Sequence, residues 1–463
     1  MDFVFAIILC LAFAWISIQA FHSFAGRKAI PGKLLPPGPK PFPLIGNLFE
    51  LGDKPHVSLT KLSQRYGPII SLQLGQVTTV VVSSSTLAKQ ILRTHDQVFC
   101  NRTVPDCVHA CNHSYYSLPF LPVSPKWRNL RKICNSHLFS AKILDANKAN
   151  RRVKVQHLID DVYESMRAGR AVEIGKAAFA TTLNLLSRTI FSVDLADPSS
   201  ETARKFKENV RGTMEDVGKP NMVDFFPLLR KLDPQGIRRR VTKLNISKGW
   251  NQEKGTSMSQ DLFTVGTETT SATTEWAMAE LLRNPEIMSK AKVELGQMIG
   301  KEKLVEEFDI ARLPYLQAII KETFRLHPVA PFLIPRKVES DVEIGGYIVP
   351  KGTQVLVNAW AIGRDPDTWD NLDLFKPERF IGSGNEIDIM GRNFELIPFG
   401  GGRRICPRLP LAMRMLYLMW GSLINCFDWK LEDGVVPQTM NMEEKFGLTL
   451  QIAHPLRAQP KKS

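Results

Sequence analysis

Residues 399–408 read Phe399-Gly400-Gly401-Gly402-Arg403-Arg404-Ile405-Cys406-Pro407-Arg408, and no other stretch constrains the chain as much. A glycine-rich loop leads to a lone cysteine, an arginine stands two residues before it, and an apolar helix-like run opens just behind. A thiol at the start of a helix meets the positive end of the dipole and free backbone N–H groups, which favour its anion. Such a loop presents one soft, ionised sulfur to a partner that needs a strongly donating ligand.

The other cysteines narrow the choice of partner. Seven are present (Cys10, Cys100, Cys107, Cys111, Cys134, Cys406 and Cys426), with no C-x-x-C pair. The odd number argues against a disulfide framework and for a reducing compartment. Cys107 and Cys111, beside His109 and His113, have a spacing that a metal can use, but the segment reads as a loop without a second ligand pair, which disfavours zinc. The cofactor that suits one cysteine is haem iron, where a thiolate ligand pushes electron density toward O–O cleavage.

Composition excludes other classes. The 463 residues are 44% apolar and 23% charged, as in an ordinary globular protein with a large core. Sixty Lys and Arg against 46 Asp and Glu give a net charge of +14. No basic–aromatic interleaving accompanies that excess, so nucleic acid is not expected. An anionic membrane face or an acidic protein partner accounts for it better.

The first residues favour the membrane. Phe3 to Ala20 is apolar except for Ser17 and Gln19, long enough to span a bilayer, and Arg27, Lys28 and Lys33 follow it. The positive-inside rule places the body on the cytosolic side. A cleaved signal peptide would have a basic start and a shorter apolar run, so residues 1–25 are expected to be an uncleaved anchor. The sequons at Asn101, Asn112 and Asn245 would then stay unused. Prolines crowd Leu35 to Pro43, so residues 26–43 form a basic, extended hinge before a catalytic body over 44–463.

Ile69 to Leu74 and Thr78 to Val82 flank Gly75-Gln76 and predict a β-hairpin. Helical stretches then dominate to about residue 330, over Ser85–Thr94, Lys126–Ser140, Ala146–Arg167 and Asn284–Ile299. Short strands return over Val338–Val349 and Gln354–Asn358. The expected fold class is mainly α with small β-sheets.

Three further patterns carry chemistry. Glu322 and Arg325 sit at i, i+3 among apolar neighbours, and Pro377-Glu378-Arg379-Phe380 lies downstream; alone, the pair reads as an ordinary surface ion pair. Gly266 within a helical pattern costs about 1 kcal/mol against Ala, which points to another group approaching the backbone there. The acid–alcohol pair Glu268-Thr269 suits proton delivery, although a threonine-rich helix also back-bonds its hydroxyls. Trp127 and Arg131 lie on a basic helix.

Together these segments resemble the signatures of the cytochrome P450 superfamily. Phe399, Gly402, Arg404 and Cys406 match Phe-x-x-Gly-x-Arg-x-Cys-x-Gly; Glu322 and Arg325 match Glu-x-x-Arg; Gly266 to Thr270 match the Gly-x-Asp/Glu-Thr-Thr of a long central helix; Trp127 and Arg131 match Trp-x-x-x-Arg. The hinge, Pro335-Arg336-Lys337 and Lys445 to Leu450 are similar to plant microsomal members, especially the geraniol 8-hydroxylase and ferruginol synthase group. The resemblance implies haem b ligated by Cys406. It implies propionates held by Trp127, Arg131, Arg336 and Arg404, a buried triad of Glu322, Arg325 and Arg379, and oxygen and proton handling by Thr269 and Glu268. Electrons would come from NADPH through a separate reductase. The body would face the cytosol from the endoplasmic reticulum membrane, and a small apolar substrate, a terpenoid or else an alkaloid or phenolic, would be hydroxylated with O2. Substrate contacts are expected over Asn112–Phe120, Val265, Thr269, Val329–Leu333 and Phe446–Leu448.

Two features depart from the pattern. Only Val241 to Gln260 stands where two further helices and the first half of the central helix are expected, with Lys248 to Gly255 reading as a polar loop. This points to a shortened chain, with a catalytically impaired or inactive member as the alternative reading. Arg408 replaces the last glycine of the cysteine signature and is expected to weaken the donation of the thiolate. An isomerase or dehydratase needing no reductase is disfavoured by Thr269 and Glu268.

Overall fold

The computed structural model describes residues 34–191, 212, 216–247, 254–382, 387–432 and 434–462. β-Branched residues either side of a glycine build its first hairpin. Ile69–Leu74 pairs antiparallel with Val77–Val82, from Ile69↔Val82 to Leu74↔Val77, and Gly75 takes φ +57° in the turn. Val77–Val82 then runs parallel to Gln354–Val357, which pairs antiparallel with Arg336–Lys337, itself paired with Asn101–Arg102. This five-stranded sheet sets Arg102 opposite Arg336. Three smaller sheets complete the β content, one of them pairing Glu444–Lys445 with Gln451–Ile452.

Helices make up the rest. Ser124 caps Pro125–Ile133 by accepting from the Trp127 N–H at 3.3 Å, and proline opens Pro285–Met298 and Pro314–Leu326, where a missing N–H costs nothing. A 30-residue helix, Lys254–Arg283, passes through the middle of the molecule. It packs on Ile174–Phe191, Pro285–Met298, Pro314–Leu326 and Leu409–Cys426. Trp276, Ala277, Ala279 and Leu281 on it are fully buried, and the Trp276 Nε1–H donates to the Leu450 carbonyl at 3.2 Å.

The mainly helical body with small sheets is as the sequence predicts. Boundaries move where packing outweighs local pattern. The helix expected over Ser85–Thr94 is regular only over Ser85–Lys89 and loosens into a π turn over Gln90–Thr94; Pro125–Ile133 gives way likewise to a π turn over Cys134–Leu138. Lys254 and Gly255, read as the end of a polar loop, begin the central helix instead, and twelve helical residues precede Gly266. One glycine near a helix end costs only about 1 kcal/mol, which a 30-residue helix absorbs. The expected anchor, residues 1–25, lies outside the described residues, as do Lys248 to Glu253. No helix among the described residues is long and apolar enough to cross a membrane.

The core around Leu409–Cys426 carries stability. Trp420→Ala is expected to cost about 3–5 kcal/mol of unfolding free energy, read as a lower urea midpoint. Val293→Ala, at an exposed site on a neighbouring helix, should change it by under about 0.5 kcal/mol.

Candidate active site

The cysteine loop has only a single 3-10 turn of its own, Gly402–Arg404, so it is fixed mainly by what its residues reach. The Cys406 N–H returns to the Phe399 carbonyl at 3.0 Å and closes the loop on itself. Gly402, at φ +65°, lies so close to the Leu92 carbonyl that a Cβ would overlap it. Arg403 pairs with Asp96 at 3.0 Å. The buried Arg404 donates to the carbonyls of Cys100 (2.7 Å), Leu118 (3.4 Å), Pro119 (3.3 Å) and Leu121 (2.5 Å), and stacks over Trp127 at 4.7 Å. Arg336 reaches the loop from the sheet, donating to Phe99 O at 3.0 Å and Gly401 O at 3.4 Å.

Behind the loop the triad residues meet. Glu322 accepts from Arg325 Nε and Nη2, both at 2.8 Å, from Arg379 Nε at 3.1 Å and from the Lys376 N–H at 2.8 Å. Arg325 spends its remaining donors on the carbonyls of Gly363, Leu372 and Leu374. Arg379 Nη1 also bonds Asp370 at 2.7 Å. Hydrogen bonds from Lys376 and Asn371, with the Arg379 charge beside them, hold that carboxylate down at about 2. Nearly every donor and acceptor is used, the condition under which buried charge is tolerated.

A cavity of about 380 Å³ opens on the cysteine. Cys406 and Thr269 line it from the cysteine loop and the central helix, and Trp127, Arg131, Arg336 and Arg404 line it from a third side. Its remaining wall is largely apolar, including Leu118, Phe120, Val265, Val329, Leu333 and Leu448. Burial raises the Cys406 thiol above its ordinary value; the N–H of Arg408 and the charges of Arg408 and Arg131 oppose that, and the Leu409 N–H adds to them. Burial lowers Arg336 to about 10, with Arg404 beside it, and lowers Arg404 to about 10. These guanidiniums lack carboxylate partners among the described residues and lean on neutral carbonyls.

That deficit is what a dianionic ring would answer. The buried Nε1 of Trp127 and Nε of Arg336 have no hydrogen-bond partner, and both residues line the cavity. The donor set therefore fits a group carrying two carboxylates and taking a sulfur ligand, which describes haem. The sequence reading missed Arg102: it is buried, lines the same cavity, bonds the Ile334 carbonyl and has an unpartnered Nε. Only the strand pairing with Arg336 brings it there. Also missed was Asp261, which accepts from His113 Nε2 (2.8 Å), Ser117 Oγ (3.1 Å) and the Leu118 N–H (2.9 Å), pinning the cavity roof to the central helix.

The acid–alcohol pair is split. Thr269 faces the cavity, its Oγ1 donating to Val265 O at 3.0 Å, and Thr270, Thr273 and Thr274 back-bond in the same way. Glu268 is not among the cavity-lining residues; its carboxylate accepts from Gln451 Nε2. Phe399 lines the cavity and meets Phe324 edge-on at 5.3 Å. His113, Leu118, Phe120, Val265, Val329, Leu333 and Leu448, named from the sequence as substrate contacts, all line it, whereas Phe446 stacks on His56 at 5.6 Å beside it. No group of ligands suited to a metal ion is present among the described residues.

A family model described as Cytochrome P450 matches residues 36–252 and 248–455. The chain belongs to the cytochrome P450 superfamily. As a P450 it is a haem-thiolate monooxygenase fed by a redox partner. It is 53% identical to a geraniol 8-hydroxylase of Catharanthus roseus and 51% identical to one of Swertia mussotii, over 99% of either chain in both cases. It is 49% identical to a drimenol monooxygenase of Persicaria hydropiper over 92% of each chain.

Two substitutions test how the site is built. Trp127→Phe keeps a ring under Arg404 but removes the unpartnered N–H; it should leave the fold intact and weaken hemin binding by about three- to tenfold, read from the Soret titration. Glu322→Gln leaves the buried Arg325 without a carboxylate and Arg379 with Asp370 alone, and should cost about 3–5 kcal/mol in denaturant unfolding.

Proposed function

We propose that this P450 hydroxylates a small terpenoid on the cytosolic face of the endoplasmic reticulum membrane, with electrons from an NADPH-dependent reductase. The observation that carries the reading is one largely apolar cavity onto which Cys406, Thr269 and the arginine cluster all open. When bound there, haem supplies an iron centre able to insert one atom of O2 into a C–H bond and release the other as water.

The chain's own residues have separate tasks. Cys406 would provide the sulfur ligand, with the Arg408 and Leu409 N–H groups directed at it. Trp127, Arg131, Arg336 and Arg404, joined by Arg102, hold the two carboxylates. Val265, Leu333 and Leu448 keep water away and orient an apolar substrate. Thr269 lines the cavity with its hydroxyl proton on the Val265 carbonyl. Glu268, which accepts from Gln451, would relay protons toward the cavity, and Thr269 would hand one on only after its hydroxyl leaves the Val265 carbonyl.

Terpenoid chemistry is supported by the relatives, whose names give geraniol and drimenol as their substrates. Membrane attachment rests on the apolar run of residues 1–25 and the basic, proline-rich 26–43. A reductase with an acidic face suits the surface charge. Among the described residues, buried charges nearly cancel (Arg102, Arg151, Lys154, Arg325, Arg336, Arg404 and Arg408 against Asp106, Asp216, Asp233, Glu280, Asp309 and Glu322), so the +14 excess lies outside the core.

A second reading, a shortened and catalytically impaired member, has its own support. The family match falls into two pieces meeting at residues 248–252. The alignment with the Catharanthus protein spans 497 positions against 463 residues here, so at least 34 of its positions have no counterpart in this chain.

Incubating the membrane-bound chain with a plant P450 reductase, NADPH and geraniol or drimenol, followed by product analysis, decides between them. The first reading expects a product heavier by one oxygen that requires both NADPH and O2. Haem-loaded protein that leaves both alcohols unchanged contradicts the terpenoid assignment, and protein that retains no haem supports the impaired reading.

A further inference from the structure

Arg408 does something other than sit beside the sulfur. It is the N-cap residue of Leu409–Cys426, and its side chain is 8% exposed. Its Nη1 donates to the Leu262 carbonyl of the central helix at 2.9 Å, and its Nε has no partner. The guanidinium lies against Gly266, so that a Cβ there would overlap it. Gly266 is the helix position whose missing side chain the sequence left unexplained, and Arg408 is the group that approaches it. Among the described residues Arg408 forms no ion pair.

The side chain thus spans two walls of one cavity. Its backbone belongs to the segment that carries Cys406, and its head lies one helical turn before Thr269. Cys406, Gly266 and Thr269 line the same cavity as this side chain, so a flat ring that takes its ligand from Cys406 would enter between those two walls. The guanidinium and such a ring compete for the space over Gly266.

Resting on the haem reading above, we propose that Arg408 is a bolt joining the cysteine loop to the central helix at Gly266 and Leu262, and that the bolt must be withdrawn before haem can seat. The Leu262 carbonyl gives up its charged donor, and the guanidinium leaves the cavity for water or for a haem carboxylate. Haem uptake is then slower and weaker than the rest of the site would allow. The cost falls on loading and not on the later chemistry.

The direction of the effect makes this testable. If Arg408 only supported the fold, removing it would loosen the site and weaken haem binding. If it is a bolt, removing it strengthens binding. The full chain, isolated without cofactor, is titrated with hemin, following the Soret band and tryptophan quenching in stopped flow; circular dichroism confirms folding. Arg408→Gly is expected to bind hemin about tenfold more tightly, the scale of one released charge-assisted hydrogen bond, and to take it up faster. Arg408→Met, which keeps an unbranched side chain and loses the donor, is expected to lie between it and the wild type and repeats the test if the glycine variant does not fold. Affinity and uptake rate in both variants equal to or below those of the unaltered chain overturn the bolt while leaving the haem reading intact. Hemin bound by none of the three overturns both.

Discussion

A cysteine loop with no more than one 3-10 turn can hold one atom in place only if its neighbours are held for it, and here buried arginines do that. Arg404 reaches four carbonyls on the Cys100–Leu121 stretch, Arg336 ties the loop to the five-stranded sheet, and Arg408 ties it to the central helix. A guanidinium has five donors in a fixed fork, so one residue can fasten several irregular segments at once. The glycines let the backbone pass close enough to Leu92 for this to work. The price is a cluster of positive charge in a largely apolar cavity, answered only in part by neutral oxygens.

That shortfall connects fold to function. The triad shows what full compensation looks like: Glu322 takes donors from Arg325, Arg379 and the Lys376 backbone, and Arg325 leaves nothing unspent. The cluster around Trp127 and Arg336 keeps free donors. One region is complete as it stands and so serves structure. The other is incomplete in a way that specifies its occupant, a sulfur-ligated anion with two carboxylates.

How much of this the sequence carried depends on the distance over which each signal acts. Glu322 and Arg325 are one helical turn apart, so their pairing was legible, but their burial came only with the resemblance; the hairpin around Gly75 was legible because its turn is local. Gly266 announced that something approaches the helix, but not what, because its partner comes from a segment far along the chain. Arg102 gave no signal of its own, since only strand pairing brings it beside Arg336. The threonine-rich motif was ambiguous for a physical reason: the hydroxyls suited to proton transfer are also the ones that back-bond to the helix, and here they do so. The start of the central helix at Lys254 was hidden because Gly255 and the polar residues before it read locally as a loop.

The central claim is that Cys406 presents its sulfur, as thiolate, to an iron held by the arginine cluster. The direct measurement is the carbon-monoxide difference spectrum of the reduced, hemin-loaded full chain, beside that of Cys406→Ser. The account predicts the strongly red-shifted Soret band of a thiolate ligand in the unaltered chain and its absence in the serine variant. A band at the position of imidazole-ligated haem in the unaltered chain, or a red-shifted band that survives the loss of the cysteine, would contradict it.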